Sequence, residues 1–301
     1  MTAGGAAAIE SEFVDLHAHS TASDGSLPPG EVVAAARRAG LSAVALTDHD
    51  SVEGVAAATA AGAAAGVRVV AGVELSAVEG DRETHLLGLH LRDTAVIAGK
   101  LSALRSMRRT RANAIVRRLN EIGVRITVEA VLEQAGDAAI GRPHVARALV
   151  GEGWAVDLRD AFDRYLGAGR PAFVAKEKLL LSDAIALIHR AGGLAVIAHP
   201  AQAGTRERIE PMVRVGLDGV EVRHPSHSAE DQTRLMALVR EFDLIPSGGS
   251  DWHGAPEGAR ALGVMRVPAS WLALQDDRLA TRPLAGAGIA TGGSPDGREP
   301  A

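Results

Sequence analysis

The chain has 301 residues, 47% hydrophobic and 23% charged, with a formal net charge of −5; this composition supplies a large core and excludes wholesale disorder. It contains no cysteine, which excludes disulfides, iron–sulfur clusters, thiolate zinc sites and a Cys nucleophile. The acidic balance gives no general attraction to polyphosphate, so an anionic substrate must be held locally and a long duplex is disfavoured.

Residues 1–12 show neither the basic nor the apolar region of a signal peptide. They are expected to be disordered. No stretch reaches the roughly 20 apolar residues of a membrane span, and a cytoplasmic location is expected. Residues 13–16 read as a strand and 28–39 as a helix, with prolines near its start and Gly40 after its end. Strands are expected at 43–46, 67–71 and 84–91, with a helix at 51–65. Later strands are expected at 194–198, 219–222, 244–247 and 263–267, with helices at 182–191, 206–215 and 229–242. Repeated βα units predict a largely parallel sheet, and their number favours a closed or nearly closed barrel. The rhythm breaks between 96 and 170. There Leu101, Leu104, Ile115, Leu119 and Ile122 keep helical spacing, and further helices are expected at 128–134, 143–151 and 158–166. The predicted organisation is a barrel from 13–95 and 171–280, a helical insertion at 96–170 over the barrel mouth, and a Gly-, Pro- and Ala-rich tail at 281–301 expected to be disordered.

Histidines and carboxylates gather just past the apolar runs. His17 and His19 follow the first strand and, two residues apart, point to one side. His49 follows the second strand, Glu74 the third and His199 a later one, while Asp251 and His253 follow the strand at 244–247. In a parallel barrel all these ends share one rim, where active sites sit. His85 opens its strand, so it reaches that rim only through an irregular or reversed strand. Read alone, Asp24 before Gly25 is a turn residue. Imidazole and carboxylate donors without sulfur suit Zn, Mn or Fe(II), and the set is too large for one ion. Adjacent ions would bind phosphate oxygens and lower the pKa of a water for in-line attack on phosphorus. No GxSxG elbow supports a serine nucleophile.

The blocks DLHAHSTASDGSLPP, ALTDHDSVEG, GVELSA, HLLGL, AVIAHP and SGGSDWHG resemble the PHP (polymerase and histidinol phosphatase) superfamily. Within it they are most similar to the bacterial branch of nucleoside 3′,5′-bisphosphate phosphatases and RNase AM-type 5′-to-3′ exoribonucleases. The resemblance implies a distorted (β/α)7 barrel, with the insertion over its C-terminal rim, and a trinuclear centre. One metal would be held by His17, His19, Glu74 and Asp251, a second by Glu74, His85 and His199, and a third by Asp24, His49 and His253. It implies removal of the 3′-phosphate of a nucleoside 3′,5′-bisphosphate, or stepwise release of 5′-nucleotides from short RNA, with Mn, Fe or Zn as cofactor and no required protein partner.

A 5′-phosphate preference would need a separate anion pocket. Arg108 and Arg111 lie beside the apolar stripe of the long insertion helix, and Arg142 and His144 open another helix, where backbone N–H groups favour anions. His224 and His227 follow a strand and are further candidates for substrate contact; Lys176 is a weaker one. Asp48 and Asp50 flank His49 and are expected to orient ligands. Three rivals stand beside this reading: a histidinol-phosphatase-like or other small-molecule PHP phosphatase, an amidohydrolase-type metal hydrolase, and a metal-stabilised binding module without activity.

Overall fold

The computed structural model describes residues 12–135, 140–175 and 179–281. The sequence tails up to residue 11 and beyond 281, and Lys176, lie outside them. The chain divides into two compact units: Met1–Thr94 with Leu181–Ala301, and Ala95–Leu180.

The first unit is a mixed α/β structure. Its strands are β1 (Phe13–Ala18), β2 (Ala43–Leu46), β3 (Arg68–Ala71), β4 (Val73–Glu79), β5 (Arg82–Leu89), β6 (Leu194–Ile197), β7 (Gly219–Arg223), β8 (Ile245–Gly248) and β9 (Val267–Pro268). They form two sheets, ordered β3-β2-β1-β9 and β4-β5-β6-β7-β8. Pairing is parallel along β1–β2–β3 and β6–β7–β8. It is antiparallel for β1–β9, β4–β5 and β5–β6. The largely parallel sheet expected from the βα rhythm is thus corrected to a mixed one. Two isolated bridges, His49–Glu74 and Ala18–Trp252, join the end of one sheet's strands to the other's.

Alternation along the strands sorts the side chains into two layers. Val14 and Leu16 of β1 pack with Leu87, Leu89, Leu194, Val196 and Ile245 of the other sheet. Val44 and Leu46 of β2 turn instead toward Val32, Val33 and Ala36 of α1 (Pro29–Arg38) and Ala58 of α2 (Val55–Ala65). Burying each such Leu or Val contributes about 1.5–3 kcal/mol relative to exposure.

The reversed strand required by His85 is β5. Because β5 runs antiparallel to β6, Leu86 lies opposite Ile197, and the Ala198 N–H donates to the His85 carbonyl at 3.1 Å. The start of β5 therefore meets the end of β6, where His199 follows. Two expectations change. Glu74 lies on a strand, β4, which begins one residue after β3 ends. The predicted strand at 263–267 reduces to β9, because Gly258, Gly263 and Arg266 take positive φ and turn the chain repeatedly.

The second unit is helical: α3 (Thr94–Glu121), α4 (Val128–Ala135), α5 (Arg142–Gly151) and α6 (Leu158–Ala161), the last continued by a π-helical turn at Phe162–Leu166. Its core gathers Ile115, Leu119, Val131, Val145, Leu149 and Leu166. The sequence boundary at 170 falls inside this unit. The chain past 170 is held there by arginines of α3, Arg118 donating to the Phe173 carbonyl and Arg111 Nε to the Val174 carbonyl at 2.8 Å. The first unit resumes with α7 (Leu181–Arg190), α8 (Arg206–Arg214), α9 (Ala229–Glu241) and α10 (Ala269–Thr281). No helix among the described residues is long and apolar enough to cross a membrane.

Candidate metal centre

Glu74 is the hub. Its backbone bridges His49: the Glu74 N–H donates to the Asp48 carbonyl at 3.2 Å, and the Asp50 N–H to the Glu74 carbonyl at 2.9 Å. Its side chain is fully buried. Oε2 lies 3.0 Å from His17 Nε2, 3.2 Å from His19 Nε2 and 3.3 Å from His49 Nδ1. Oε1 lies 2.9 Å from His85 Nδ1 and 3.0 Å from His199 Nε2. Five imidazoles from four separate strand ends thus face one carboxylate.

Asp251 and Asp24 extend the cluster. Asp251 Oδ1 is 3.4 Å from His17 Nε2 and 3.3 Å from His19 Nε2. Asp24 Oδ1 is 3.2 Å from His253 Nε2 and 3.7 Å from His19 Nδ1, and its Oδ2 is 3.9 Å from His49 Nε2. The Asp-Gly step is therefore more than a turn. The structure brings His17, His19, Asp24, His49, Glu74, His85, His199, Asp251 and His253 to one place. Four groupings have donor atoms mutually within 4.8 Å: His19, Asp24, His49 and His253; His17, His19, Glu74 and Asp251; His49, Glu74 and His85; and His17, Glu221 and His224.

The donor chemistry fits divalent cations. Both ring nitrogens of His19 and Nδ1 of His85 are buried without a hydrogen-bond partner, although carboxylate oxygens lie close by. An unsatisfied buried nitrogen costs about 1–3 kcal/mol. For ligand bonds of about 2.1 Å at angles of about 90–109°, neighbouring donors stand about 3.0–3.4 Å apart. The spacings around Glu74 fall between 2.9 and 3.3 Å. The tautomers agree where a partner fixes them. His17 Nδ1 faces Glu221 Oε1 at 3.0 Å, and His253 Nδ1 faces the Asp251 carbonyl at 2.9 Å. Each leaves Nε2 as the donor toward the cluster. The residues can therefore hold metal ions.

The charges of the cluster reinforce one another. Burial works against ionisation of Glu74, but the surrounding imidazoles, His17 first, outweigh it and hold the carboxyl far below the usual range. Burial likewise opposes protonation of His17, yet Glu221 and Glu74 raise its pKa well above the ordinary value. His49 moves down, burial outweighing Glu74. The carboxylates remain anionic, and cations or protons must balance them.

Buried carboxylates outside the ligand set hold it in shape. Glu221 spans two ligands, accepting from His17 Nδ1 and, through Oε2, from the His199 N–H at 2.7 Å. Asp15 accepts from the backbone N–H of His17 at 3.3 Å, Ser250 at 3.0 Å and Gly263 at 2.8 Å, and from Ser250 Oγ at 2.7 Å. Beside it the chain must carry Gly249, where a Cβ would sit 2.4 Å from the His17 backbone nitrogen. Asp48 ties down the loop after His19, accepting from Ser20 N at 2.6 Å, Ser20 Oγ at 2.8 Å and Ser23 Oγ at 2.8 Å. Asp50 accepts from Ser76 N at 3.0 Å on β4. Asp48 and Asp50 thus position the loop and strand around His49. Sequence reasoning missed Glu221 and Asp15. The only available signal was an acid between apolar neighbours in a strand, Val220-Glu221-Val222 and Val14-Asp15-Leu16.

The substrate candidates separate. His227 is corrected: its Nδ1 faces the Val222 carbonyl at 2.9 Å and its Nε2 accepts from the Ala201 N–H at 3.1 Å. Both nitrogens are spent on backbone. His224 instead lines a cavity of about 260 Å³ with the ligand imidazoles, Asp251 and Arg260. In the helical unit, Arg108, Arg111 and Arg142 line one small cavity at the start of α5. Arg142 also donates to the Leu166 carbonyl at 3.1 Å and lies over the rings of Phe162 and Phe173. Arg111 Nη2 is buried without a partner, and burial with Arg142 nearby lowers its pKa. His144 Nδ1 accepts from the Gly141 N–H at 2.9 Å, closing the start of the helix.

Comparison with known proteins agrees with this geometry. The PHP domain matches residues 15–170. A 3′,5′-nucleoside bisphosphate phosphatase of Chromobacterium violaceum is 38% identical over 260 residues, covering 83% of this chain and 90% of that protein. A 5′-3′ exoribonuclease of Haemophilus influenzae is 36% identical over 245 residues, covering 79% and 89%. A crystal structure from Bifidobacterium adolescentis, described as a metal-dependent phosphoesterase, superposes with a TM-score of 0.64 at 32% identity, covering 89% of this chain and 96% of that one.

Proposed function

The chain belongs to the PHP domain family, and from that premise we propose that this phosphoric ester hydrolase removes the 3′-phosphate of nucleoside 3′,5′-bisphosphates, releases 5′-nucleotides from short RNA, or does both. The carrying observation is the Glu74 carboxylate with five imidazoles within 3.3 Å of its oxygens. Relatives named for both activities support the substrate class. The centre is assigned three ions of Mn, Fe or Zn: one at His17, His19, Glu74 and Asp251, one at Glu74, His85 and His199, and one at Asp24, His49 and His253. The location is assigned to the cytoplasm. The two sheets are read as a distorted (β/α)7 barrel closed through the His49–Glu74 and Ala18–Trp252 bridges, with residues 96–170 as an insertion.

Bound divalent ions supply Lewis acidity toward phosphoryl oxygens and the attacking water. The chain's own residues do the rest. Glu221 fixes the tautomer of His17 and the backbone of His199. Asp15 and Asp48 lock the loops that deliver His17, His19 and Asp251, so the donors stay in place as charge develops. The cavity with Arg108, Arg111 and Arg142 is assigned to the 5′-phosphate, with His144 beside it at the first turn of α5, where N–H groups and the helix dipole favour anions. Substitution Arg142→Ala should then abolish the preference for 5′-phosphorylated substrates.

The test is a panel with Mn²⁺: adenosine 3′,5′-bisphosphate, short 5′-phosphorylated RNA, histidinol phosphate and a generic phosphomonoester, each on wild type and Asp251→Ala. Hydrolysis of either nucleotide substrate by wild type alone is expected. Turnover of histidinol phosphate alone would reject the substrate class. Equal rates for both proteins would reject the metal-centred chemistry.

A further inference from the structure

Arg260 carries an observation that the metal-ligand set leaves unused. It is a cation lining the same roughly 260 Å³ cavity as His49, His85, His199 and His253. Its Nη1 donates to Asp251 Oδ2 and lies 3.4 Å from the Asp251 carbonyl. Its side chain is about half exposed, at 48%. Among the described residues, its Nε and Nη2 make no hydrogen bond to protein.

The loop that delivers this guanidinium is fixed at both ends. At one end Gly254 has φ +113°, and a Cβ there would lie 1.6 Å from Ser26 Oγ; the Ser26 N–H donates to the His253 carbonyl at 3.0 Å. Trp252 Nε1 donates to the Ala255 carbonyl at 2.7 Å. At the other end the Gly263 N–H is held by Asp15. Arg260 therefore stands on an anchored segment between two points tied to the ligand-bearing strand ends.

A phosphoryl group in this cavity carries negative charge on oxygens that need donors beyond metal ions. A guanidinium presents its donors in a plane that matches two oxygens of a phosphate. Asp251 Oδ2 takes one edge of Arg260 and also faces His224 Nε2 at 3.4 Å, while Oδ1 faces His17 and His19. One arginine can thus aim the carboxylate and offer its remaining donors to substrate.

We infer that Arg260 grips the phosphate undergoing hydrolysis while positioning Asp251. The inference rests on the phosphoesterase reading of the same site and adds a residue and a ligand class, an inorganic or ester phosphate, to it. It is tested on the Mn²⁺-loaded full chain with Arg260→Gln and Arg260→Lys. Metal content is measured on each protein, followed by calorimetric titration with inorganic phosphate and steady-state kinetics on adenosine 3′,5′-bisphosphate. The expected result is full metal content, phosphate binding weakened about tenfold or more in the Gln variant, kcat/KM lowered about 100-fold or more, and partial recovery by Lys. Full metal content with unchanged phosphate affinity would overturn the phosphate contact. So would lost metal whose replenishment with excess Mn²⁺ restores wild-type phosphate affinity, because Arg260 would then serve Asp251 alone. If wild type hydrolyses no phosphoester, the functional reading fails, while the phosphate titration still decides the role of Arg260.

Discussion

Replacing Glu221 by Gln removes one negative charge and almost no volume from a fully buried position. The carboxylate accepts from two donors, His17 Nδ1 at 3.0 Å and the His199 N–H at 2.7 Å. An amide keeps one acceptor oxygen and turns an NH₂ toward the other donor. If the oxygen stays on His199, His17 Nδ1 meets a donor, and nothing holds the proton on that nitrogen. The Nε2 lone pair then loses its fixed aim at Glu74 and Asp251. A charge-assisted hydrogen bond of this kind contributes about 1.5–3 kcal/mol. At about 1.4 kcal/mol per tenfold, metal binding should weaken by roughly 10- to 100-fold, the range usual for loss of a carboxylate behind a ligating histidine.

The assay is competition of the folded Gln variant for Mn²⁺ against a fluorescent chelator, with the fold checked by circular dichroism. A second readout comes from linkage. At saturating metal, each tenfold loss of affinity removes about 1.4 kcal/mol of cation-induced stabilisation, lowering Tm by about 2 °C for a chain of this size. A folded variant that binds Mn²⁺ within about twofold of wild type would refute the claim that Glu221 fixes His17 for a cation.

Chelation of wild type with EDTA should lower Tm by several degrees and abolish hydrolysis, both reversed by Mn²⁺, since His19 and His85 carry buried nitrogens without hydrogen-bond partners; an unchanged melt would argue that no cation stabilises the fold. Asp15→Asn keeps one acceptor oxygen for three backbone donors and a hydroxyl, and urea titration should show a loss of about 2–4 kcal/mol. At the start of α9, hydrogen bonds from Arg234 and Ser228 hold Asp231 down to about 2. Its contribution is complete above about pH 4, the unfolded value, and lost as pH falls through about 2. Asp231→Asn should therefore flatten that part of the acid-unfolding curve.

What the sequence showed and what it hid follow from one distinction. A ligand histidine announces itself because few other roles place HxH, DHD and SDWH just after an apolar run. The gathering of His17, His49, His199 and His253 in one cluster was legible for that reason, and that of His85 once a reversed strand was allowed. Short apolar runs located most strands within a residue or two. It could not reveal β4, because β3 and β4 are separated only by Gly72 and no turn signal marks where one pairing partner is exchanged for another. The direction of β5 was likewise beyond local pattern, since parallel and antiparallel strands bury the same residues.

Supporting residues are hidden for a different reason. Glu221 and Asp15 depend on partners distant in sequence, Glu221 meeting His17 across 204 positions and Asp15 meeting Ser250 across 235, while Arg260 meets Asp251 across nine. Nothing near Arg260 in the chain separates it from exposed arginines of α3 such as Arg109 and Arg117. His224 and His227 make the same point within one short segment. Both follow β7, and both are buried. Yet two backbone groups consume His227, while His224 faces the cavity. Which of two histidines three positions apart faces the cavity is decided only by tertiary structure. The resulting division of labour is physical. Residues that bind cations must cluster at the converging strand ends, where sequence can place them. Residues that hold the binders may come from any element that packs behind, so substitutions at Glu221, Asp15 and Arg260 are the ones that test whether the centre works by geometry as well as by composition.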